Sequence, residues 1–326
     1  MRVLGIESSA HTLGIGIVEN GRVLSNEKMM YQIGTAGLIP AKAADLHAEN
    51  VHAVLREALS KAGLTLGEIE GIGYTMGPGI GPCLRVGELA AKTLAERYGL
   101  PMAPVNHALG HIEVARFAAG FRDPLVLYVS GGNSQILAIE GKPFRHYRVL
   151  GETFDIGIGN MLDSFAREAK LNPAWGSSVA KLAEGGSYIE LPYTVKGMDF
   201  TFTGLLTAAG DKLAVHRHKD VAFSLQETSF AMLCEATERA LLLTRKKELL
   251  LSGGVAQSKR LNEMLRLMAA QHRTRVYTAE NQYNADNGAM IALVAEKMLE
   301  NGMDARPEKC TTNQKYRIDS VRIGWR

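Results

Sequence analysis

Two stretches of the chain repeat one hydrophobic plan. In residues 3–28 (VLGIESSAHTLGIGIVENGRVLSNEK) an apolar run meets the polar turn Ser8-Ser9, a second apolar run follows, Asn20-Gly21 turns the chain, and a third run leaves. Residues 125–153 (LVLYVSGGNSQILAIEGKPFRHYRVLGET) do the same around Gly131-Gly132-Asn133 and Glu140-Gly141. Small polar or Gly turns between β-rich runs predict a three-strand meander in each. Helix-period sequence follows both. Over residues 41–62 the apolar positions Leu46, Val51, Val54, Leu55, Ala58 and Leu59 fall near helical spacing, and residues 160–171 look similar. A meander followed by a helix, given twice, predicts a duplicated α/β architecture. Two unrelated meanders are the simpler alternative on periodicity alone.

Shorter elements fill the frame. Strands are expected at 70–74, 102–105, 248–251 and 276–278, and helices at 86–98, 223–243, 259–271 and 286–300, with a Gly/Pro loop at 76–86. The chain has 326 residues, enough for two domains at roughly 100–200 residues each. The division expected is a first lobe at 1–122, a second lobe with the terminal helix at 123–300, and a basic tail at 301–326 packing back on the body. The tail carries Lys309, Lys315, Arg317, Arg322 and Arg326.

Composition narrows the classes. Hydrophobic residues at 46% and charged residues at 22% are globular values and exclude a disordered chain. The 34 glycines against 10 prolines point to tight turns and close ligand approach rather than a linker. Aromatics at 6% argue against a base-stacking platform for single-stranded nucleic acid. A net charge of +3 makes a poor polyanion binder, so action on nucleic acid calls for partners that supply part of the grip. Cys83, Cys234 and Cys310 form no CxxC pair, so neither a disulfide framework nor a thiolate zinc site is indicated. Glu7 interrupts the first apolar stretch, unlike a signal peptide, and no run of about 18 uncharged apolar residues exists to span a membrane. A reducing cytoplasm and no membrane are expected.

Three features carry candidate chemistry. The first is HALGH, which places His107 and His111 at i and i+4 on one helix face. Two imidazoles so placed can bind one divalent metal; a partly exposed helix face is the plainer reading. Ala108, Leu109 and Gly110 leave no Glu between them, so the HExxH peptidase mechanism lacks its general base. The second feature is a pair of glycine loops after apolar strands, YVSGGNSQ at 128–135 and LSGGV at 251–255. Consecutive amides in such loops form anion-binding nests, and two of them suggest a nucleotide; tight turns are the alternative. Neither loop is a P-loop or a Rossmann fingerprint. The third is NADNG, where Asp286 at a helix start reads first as an N-cap or dipole partner and second as a carboxylate ligand brought to the histidines. Glu7 is open in the same way, as a cleft acid or a solvated strand end.

The motifs HALGHIE, LYVSGGNSQ, GETFDIGIGNMLDSFAR, LPYTVKGMDFTFTGLLTA, LSGGVAQSKRL and NADNGAMIA, with LGIESSAHTLGIGIV and MGPGIGPCLRV, run in order over nearly the whole chain. Together they resemble the archaeal branch of the universal tRNA threonylcarbamoyladenosine transferases, the catalytic subunit of the KEOPS complex. The resemblance implies an α/β, duplicated actin/hexokinase-like (ASKHA) fold of two lobes with a nucleotide cleft between them. It implies transfer of a threonylcarbamoyl group from threonylcarbamoyl-adenylate to the exocyclic amine of the adenosine beside the anticodon, in tRNAs reading codons that begin with A. The implied metal, iron or zinc, maps onto His107, His111, Tyr128 and Asp286. Adenylate contacts, with ATP or an analogue as a further cleft ligand, map onto Tyr128, Val129, Ser130, Gly131, Gly132, Asp163, Gly176, Gly253, Gly254 and Ser258. Glu7, Asn133 and Ala180 are secondary candidates. The implied partners are tRNA, a small protein kinase/ATPase subunit and the other KEOPS subunits.

Two departures from the family pattern fall on adenylate-contacting positions. Trp175 and Ala180 stand where the pattern has a glycine and an acid, and Ser258 where it has Asn. A lost paired carboxylate is worth ~1–3 kcal/mol. These changes motivate an alternative, a nucleotide-binding scaffold of weak or no activity. A small-molecule kinase of the same superfamily is a further one, although HALGH and NADNG have no evident use there.

Overall fold

The repeated meander folds into two five-stranded sheets with one strand order. The computed structural model describes residues 1–32, 38–141 and 145–325; Arg326 of the basic tail lies outside the described residues. In the first sheet β1 (Arg2–Glu7), β2 (Thr12–Glu19) and β3 (Arg22–Met30) pair antiparallel, and β4 (Gly71–Gly77) and β5 (Met102–Asn106) join parallel, in the order β3-β2-β1-β4-β5. The second sheet takes β6 (Leu125–Val129), β7 (Ser134–Glu140) and β8 (His146–Glu152), a two-residue ribbon β9 (Val195–Lys196) and β10 (Asp199–Phe200) stands apart, and β11 (Glu248–Ser252) and β12 (Arg275–Thr278) complete the order β8-β7-β6-β11-β12. There too β7 is antiparallel to β6, while β11 and β12 are parallel. The duplication that periodicity left even with its alternative is therefore present in the topology.

The helices are α1 (Pro40–Ala62), α2 (Gly81–Tyr98), α3 (His107–Ala119), α4 (Ile158–Glu168), α5 (Gly176–Ala183), α6 (Thr203–Lys212), α7 (His218–Thr244), α8 (Lys259–Gln271), α9 (Asn281–Asn284) and α10 (Gly288–Glu300). Helix α2 begins five residues earlier than its periodicity indicates, because Pro82 occupies the first turn, where its missing N–H is no loss.

Side chains alternate across the first sheet, and both faces are covered. Leu4, Ile6, Leu13, Ile15 and Ile17 meet Val54 of α1 and Ala91 of α2 in one core. The opposite positions on the same strands are glycines. A Cβ on Gly5 would lie 2.2 Å from the Ala292 backbone nitrogen, one on Gly16 2.3 Å from that of Ala289, and one on Gly73 2.3 Å from the Ala295 Cβ. The small residues Gly288, Ala289, Ala292 and Ala295 of α10 thus lie directly on a trough of glycine backbone. These glycines serve helix–sheet contact rather than the turns and ligand approach expected of them.

The chain divides into two compact units, Met1–Phe117 with Gly141–Tyr147 and Glu280–Arg326, and Ala118–Glu140 with Arg148–Ala279. A division at 122/123 and 300/301 puts the terminal helix with the second sheet; the glycine trough holds α10 on the first. The tail stays in the first unit. Ala305 bridges Met102, Ile323 bridges Arg145, and the Asn313 N–H donates to the Met76 carbonyl at 2.8 Å. Near its end Trp325 Nε1 donates to Glu113 Oε2 at 2.6 Å. The buried Glu113 carboxylate also accepts from Tyr147 Oη at 2.6 Å and from Arg116 at 2.7 and 2.8 Å. Four donors around a paired carboxylate meet the cost of its burial.

In the second unit the core joins Leu125, Leu127 and Val129 of β6 to Met161 and Phe165 of α4 and Phe230 of α7. Asp155 ties the entry of α4 to the start of α6. Its carboxylate accepts from Ile156 N (2.7 Å), Phe202 N (3.0 Å), Thr203 N (2.7 Å) and Thr153 Oγ1 (2.9 Å). Burial opposes the charge, but these donors, led by the Phe202 and Thr203 amides, hold the carboxyl down at about 2. Unfolded Asp titrates near ~4. The stabilisation is therefore complete above that pH and is lost as pH falls towards 2. Asp155→Ala is expected to cost ~1 kcal/mol at pH 7, like loss of a helix cap. Urea unfolding at pH 7 and at pH 2.5 or so checks this: the deficit should shrink at the lower pH.

Candidate functional site

Helix α3 starts on the last turn of a parallel strand. Asn106 ends β5, its Oδ1 accepts from the Leu109 N–H at 3.1 Å, and its Nδ2 donates to the Tyr316 carbonyl at 2.8 Å. This cap makes His107 the first helical residue and puts His111 one turn on, so the rings share a face, with centroids 4.7 Å apart at 89°. Asp286 arrives from the segment between α9 and α10. Its Oδ1 lies 3.2 Å from His111 Nε2 and 3.6 Å from His107 Nε2. One ligand atom from each of His107, His111 and Asp286 falls within 4.8 Å of the other two. All three belong to the first unit. Tyr128, the fourth residue of the expected set, is buried at the end of β6 in the second unit, so the set assembled within one unit is three residues.

The N-cap reading of Asp286 is corrected. Asn287 caps α10, its Oδ1 accepting from Met290 N at 3.0 Å, and Asp286 turns to the histidines. Glu7 is not a solvated strand end either. It is fully buried at the end of β1. Its Oε2 lies 3.0 Å from His107 Nδ1 and accepts from Thr75 Oγ1 at 2.7 Å, and its Oε1 accepts from Ser9 N at 2.6 Å. Sequence reasoning gave neither Ser9 nor Thr75 a role at the site: Ser9 read only as part of the Ser8-Ser9 turn, and Thr75 had no motif or spacing to mark it.

Charge explains how these groups coexist. Burial lowers the His107 pKa, but Glu7, by its charge and hydrogen bond, and then Asp286 raise it to about 9. Burial raises both carboxyls as well. The charge and hydrogen bond of His107 outweigh this for Glu7, and the His111 hydrogen bond with the charge of His107 outweighs it for Asp286; both end below the ordinary carboxylate range. The site field favours positive charge. Two imidazoles and a carboxylate, partly buried in such a field, are a donor set that fits a borderline divalent ion such as iron or zinc.

The second unit holds the glycine loops. They leave the carboxyl ends of β6 and β11, which are parallel neighbours, the edge at which α/β sheets bind ligands. In the first loop Ser130 N donates to the Asn133 carbonyl at 2.8 Å and Asn133 N to Ser130 Oγ at 3.1 Å. The loop carbonyls of Ser130 and Gly131 accept from Gly159 N and Asn160 N at the start of α4. Gly131 and Gly132 are exposed. In the second loop Gly253 takes φ +96°, with a Cβ position only 2.4 Å from the Val129 carbonyl oxygen, so glycine is required there; Gly254 faces open space. Asp163 and Gly176 are brought together, the Gly176 N–H donating to Asp163 Oδ1 at 2.7 Å and opening α5.

Residues 20–293 match the tRNA N6-adenosine threonylcarbamoyltransferase family. The chain is 46% identical to the tRNA N6-adenosine threonylcarbamoyltransferases of Thermococcus sibiricus and Thermococcus kodakarensis, in each case over 100% of both chains. It belongs to this family of transferases. It is also 46% identical to a "probable bifunctional tRNA threonylcarbamoyladenosine biosynthesis protein" of Thermoplasma acidophilum, of which it spans 61%. Among solved structures it is similar to Thermococcus kodakarensis HypF (TM-score 0.62, 14% identical, 92% of this chain and 47% of that one). It is similar too to a ROK family glucokinase from Streptomyces griseus (TM-score 0.50, 15% identical, 91% and 99%). These likenesses show the fold, which is actin/hexokinase-like, as its two matching mixed sheets require. Among the described residues no helix is long and apolar enough to cross a membrane.

Against the family pattern, Ser258 has a local role: its side chain caps α8, accepting from Leu261 N. Ala180 is half-buried on α5 beside the core residue Val179 and brings no carboxylate.

Proposed function

We propose that this transferase moves the threonylcarbamoyl group of threonylcarbamoyl-adenylate onto the exocyclic amine of the adenosine next to the anticodon, in tRNAs reading codons that begin with A. One observation carries the reading beyond family membership: His107, His111 and Asp286, up to 179 positions apart in the chain, meet within 4.8 Å in a partly buried, negatively biased site. Iron or zinc held by these three residues would supply a Lewis acid that favours charge developing on the departing phosphate or the carbamoyl oxygen.

The chain's own groups do the rest. The amine nitrogen attacks the carbamoyl carbon, the carbon–oxygen bond to phosphate breaks, AMP leaves, and the amine gives up a proton. The amides of Gly131, Gly132, Gly253 and Gly254 are suited to the anionic phosphate, since consecutive N–H groups attract it and glycine admits it closely. Val129 and Asn133 flank the first loop, and Asp163 holds the start of α5 through Gly176. A net charge of +3 is low for gripping tRNA alone, which supports action within a KEOPS-type complex with a small kinase/ATPase subunit, in the cytoplasm. The word bifunctional in the Thermoplasma relative's name accords with such a partner.

The test is reconstitution. Purified protein, KEOPS partners, the adenylate-forming enzyme, threonine, bicarbonate, ATP and unmodified tRNA are combined, and the tRNA nucleosides are analysed by mass spectrometry. Threonylcarbamoyladenosine is expected. Its absence, with the same partners active on a control subunit, overturns the reading.

A further inference from the structure

Glu7 is a costly residue in its position. It is fully buried, and a buried carboxylate is retained only with partners. Two of its three partners, Thr75 Oγ1 and Ser9 N, could be served by a neutral acceptor. The third is His107 Nδ1, 3.0 Å from Oε2. An ionised carboxylate only accepts hydrogen bonds, so Nδ1 carries the hydrogen and donates it. The other ring nitrogen, Nε2, is the one that faces Asp286 Oδ1 at 3.6 Å, on the side shared with His111 Nε2. An imidazole protonated at Nδ1 presents its lone pair at Nε2, the form a metal ligand needs.

Charge points the same way. Asp286 contributes one negative charge inside the cluster, and Glu7 a second one behind it. With neutral imidazoles these two balance a divalent cation in a partly buried site. Glu7 comes from β1, is fastened to β4 through Thr75, and meets α3 at its first residue. It therefore sets the plane of the His107 ring with the rigidity of the sheet. We infer that Glu7 is the positioning residue of this centre: it ligates nothing, but it selects the Nδ1–H tautomer of His107, orients the ring, and supplies the second negative charge on which affinity for a divalent cation depends. This rests on the metal reading above; a carboxylate serving only to staple β1 to β4 is the competing role.

Cobalt(II) titration of the metal-free, full-length protein, followed by its visible d–d bands, separates the possibilities. Wild type is expected to bind one cobalt per chain, and His107→Ala to lose it. Glu7→Gln keeps the shape but removes the charge and one acceptor. It is expected to weaken cobalt binding by about 10–100-fold and to shift the d–d bands, with far-UV circular dichroism unchanged. Binding within threefold of wild type with the same bands overturns the inference and leaves the staple, while the metal reading stands. No cobalt bound by wild type, or binding indifferent to His107→Ala, overturns the metal reading and this inference with it. A measurement on the wild-type chain covers a Glu7→Gln protein that fails to fold. Long-range ¹H–¹⁵N spectra of the histidine-labelled zinc form are expected to show His107 protonated at Nδ1 and zinc-bound at Nε2, and zinc on Nδ1 overturns the inference.

Discussion

Asp286→Ala protein, carried through the reconstituted reaction, is expected to make threonylcarbamoyladenosine at least ~10²-fold more slowly than wild type, the scale on which preorganised charge stabilisation acts. It should also be purified without stoichiometric iron or zinc. The reason lies in the geometry. Asp286 Oδ1 is the common neighbour of both Nε2 atoms, and without it two imidazoles on one helix face must hold the ion alone. The fold should survive. Asn287, not Asp286, caps α10, and α9 ends before it, so no hydrogen bond of either helix depends on the lost carboxylate. Elemental analysis, nucleoside analysis and circular dichroism are measured on one preparation. A native spectrum with full metal content would remove Asp286 from the centre; a native spectrum with no metal and undiminished transfer would remove the metal from the reaction. His107→Ala should behave like Asp286→Ala, with an additional loss of stability, because it leaves the buried Glu7 without its charged partner.

How far such a site can be read in a sequence depends on where its information is stored. His107 and His111 were legible as a pair because both lie on one helix and the 3.6-residue period is local. The doubled three-strand plan was legible for the same reason, since alternation and turn chemistry act over a few residues. Asp286 was legible as a ligand only as a second reading, which resemblance strengthened: its local setting, an acid before a helix, reads first as a cap, and the distinction is made by Asn287 one residue later. Glu7 was legible only as one of two open readings, a cleft acid or a solvated strand end, Ser9 only as part of a turn, and Thr75 not at all. What makes Glu7 special is the distance between the end of β1 and the start of α3, and that follows from the β1-β4-β5 pairing rather than from any spacing. The glycines were visible but misread. Alternation at Gly14 and Gly16 with Gly5 across the turn is a strand pattern with one face emptied of side chains. The small residues at 288, 292 and 295 are its helical complement. Neither half means close packing until the two are known to meet.

That meeting yields the second large effect. Gly16→Ala is expected to destabilise the first unit by ~3 kcal/mol or more, at the upper end of what an added core methyl costs, because nothing near it can turn aside. The new Cβ would stand 2.3 Å from the backbone nitrogen of Ala289 and 2.6 Å from its Cα, and backbone cannot change rotamer. Against a total stability of ~5–15 kcal/mol this is a large share. Gly204→Ala is the control: it sits on α6 with nothing within 4 Å of the added methyl, and it should match or slightly exceed wild type. Thermal unfolding of the three proteins checks the contrast, and equal midpoints for Gly16→Ala and wild type would refute the close helix–sheet contact. The consequence reaches the chemistry. Asp286 precedes Gly288 by two residues, and Gly288 is itself pressed on the sheet, its own Cβ position lying 2.2 Å from the Gly16 nitrogen. If α10 is pushed off the trough, the carboxylate leaves the histidines. Gly16→Ala protein kept folded at low temperature should therefore bind metal more weakly than Gly204→Ala, although residue 16 is no ligand. The glycine trough is thus the element that carries the distance between β1, which bears Glu7, and the segment that bears Asp286, and the metal site inherits its dimensions from it.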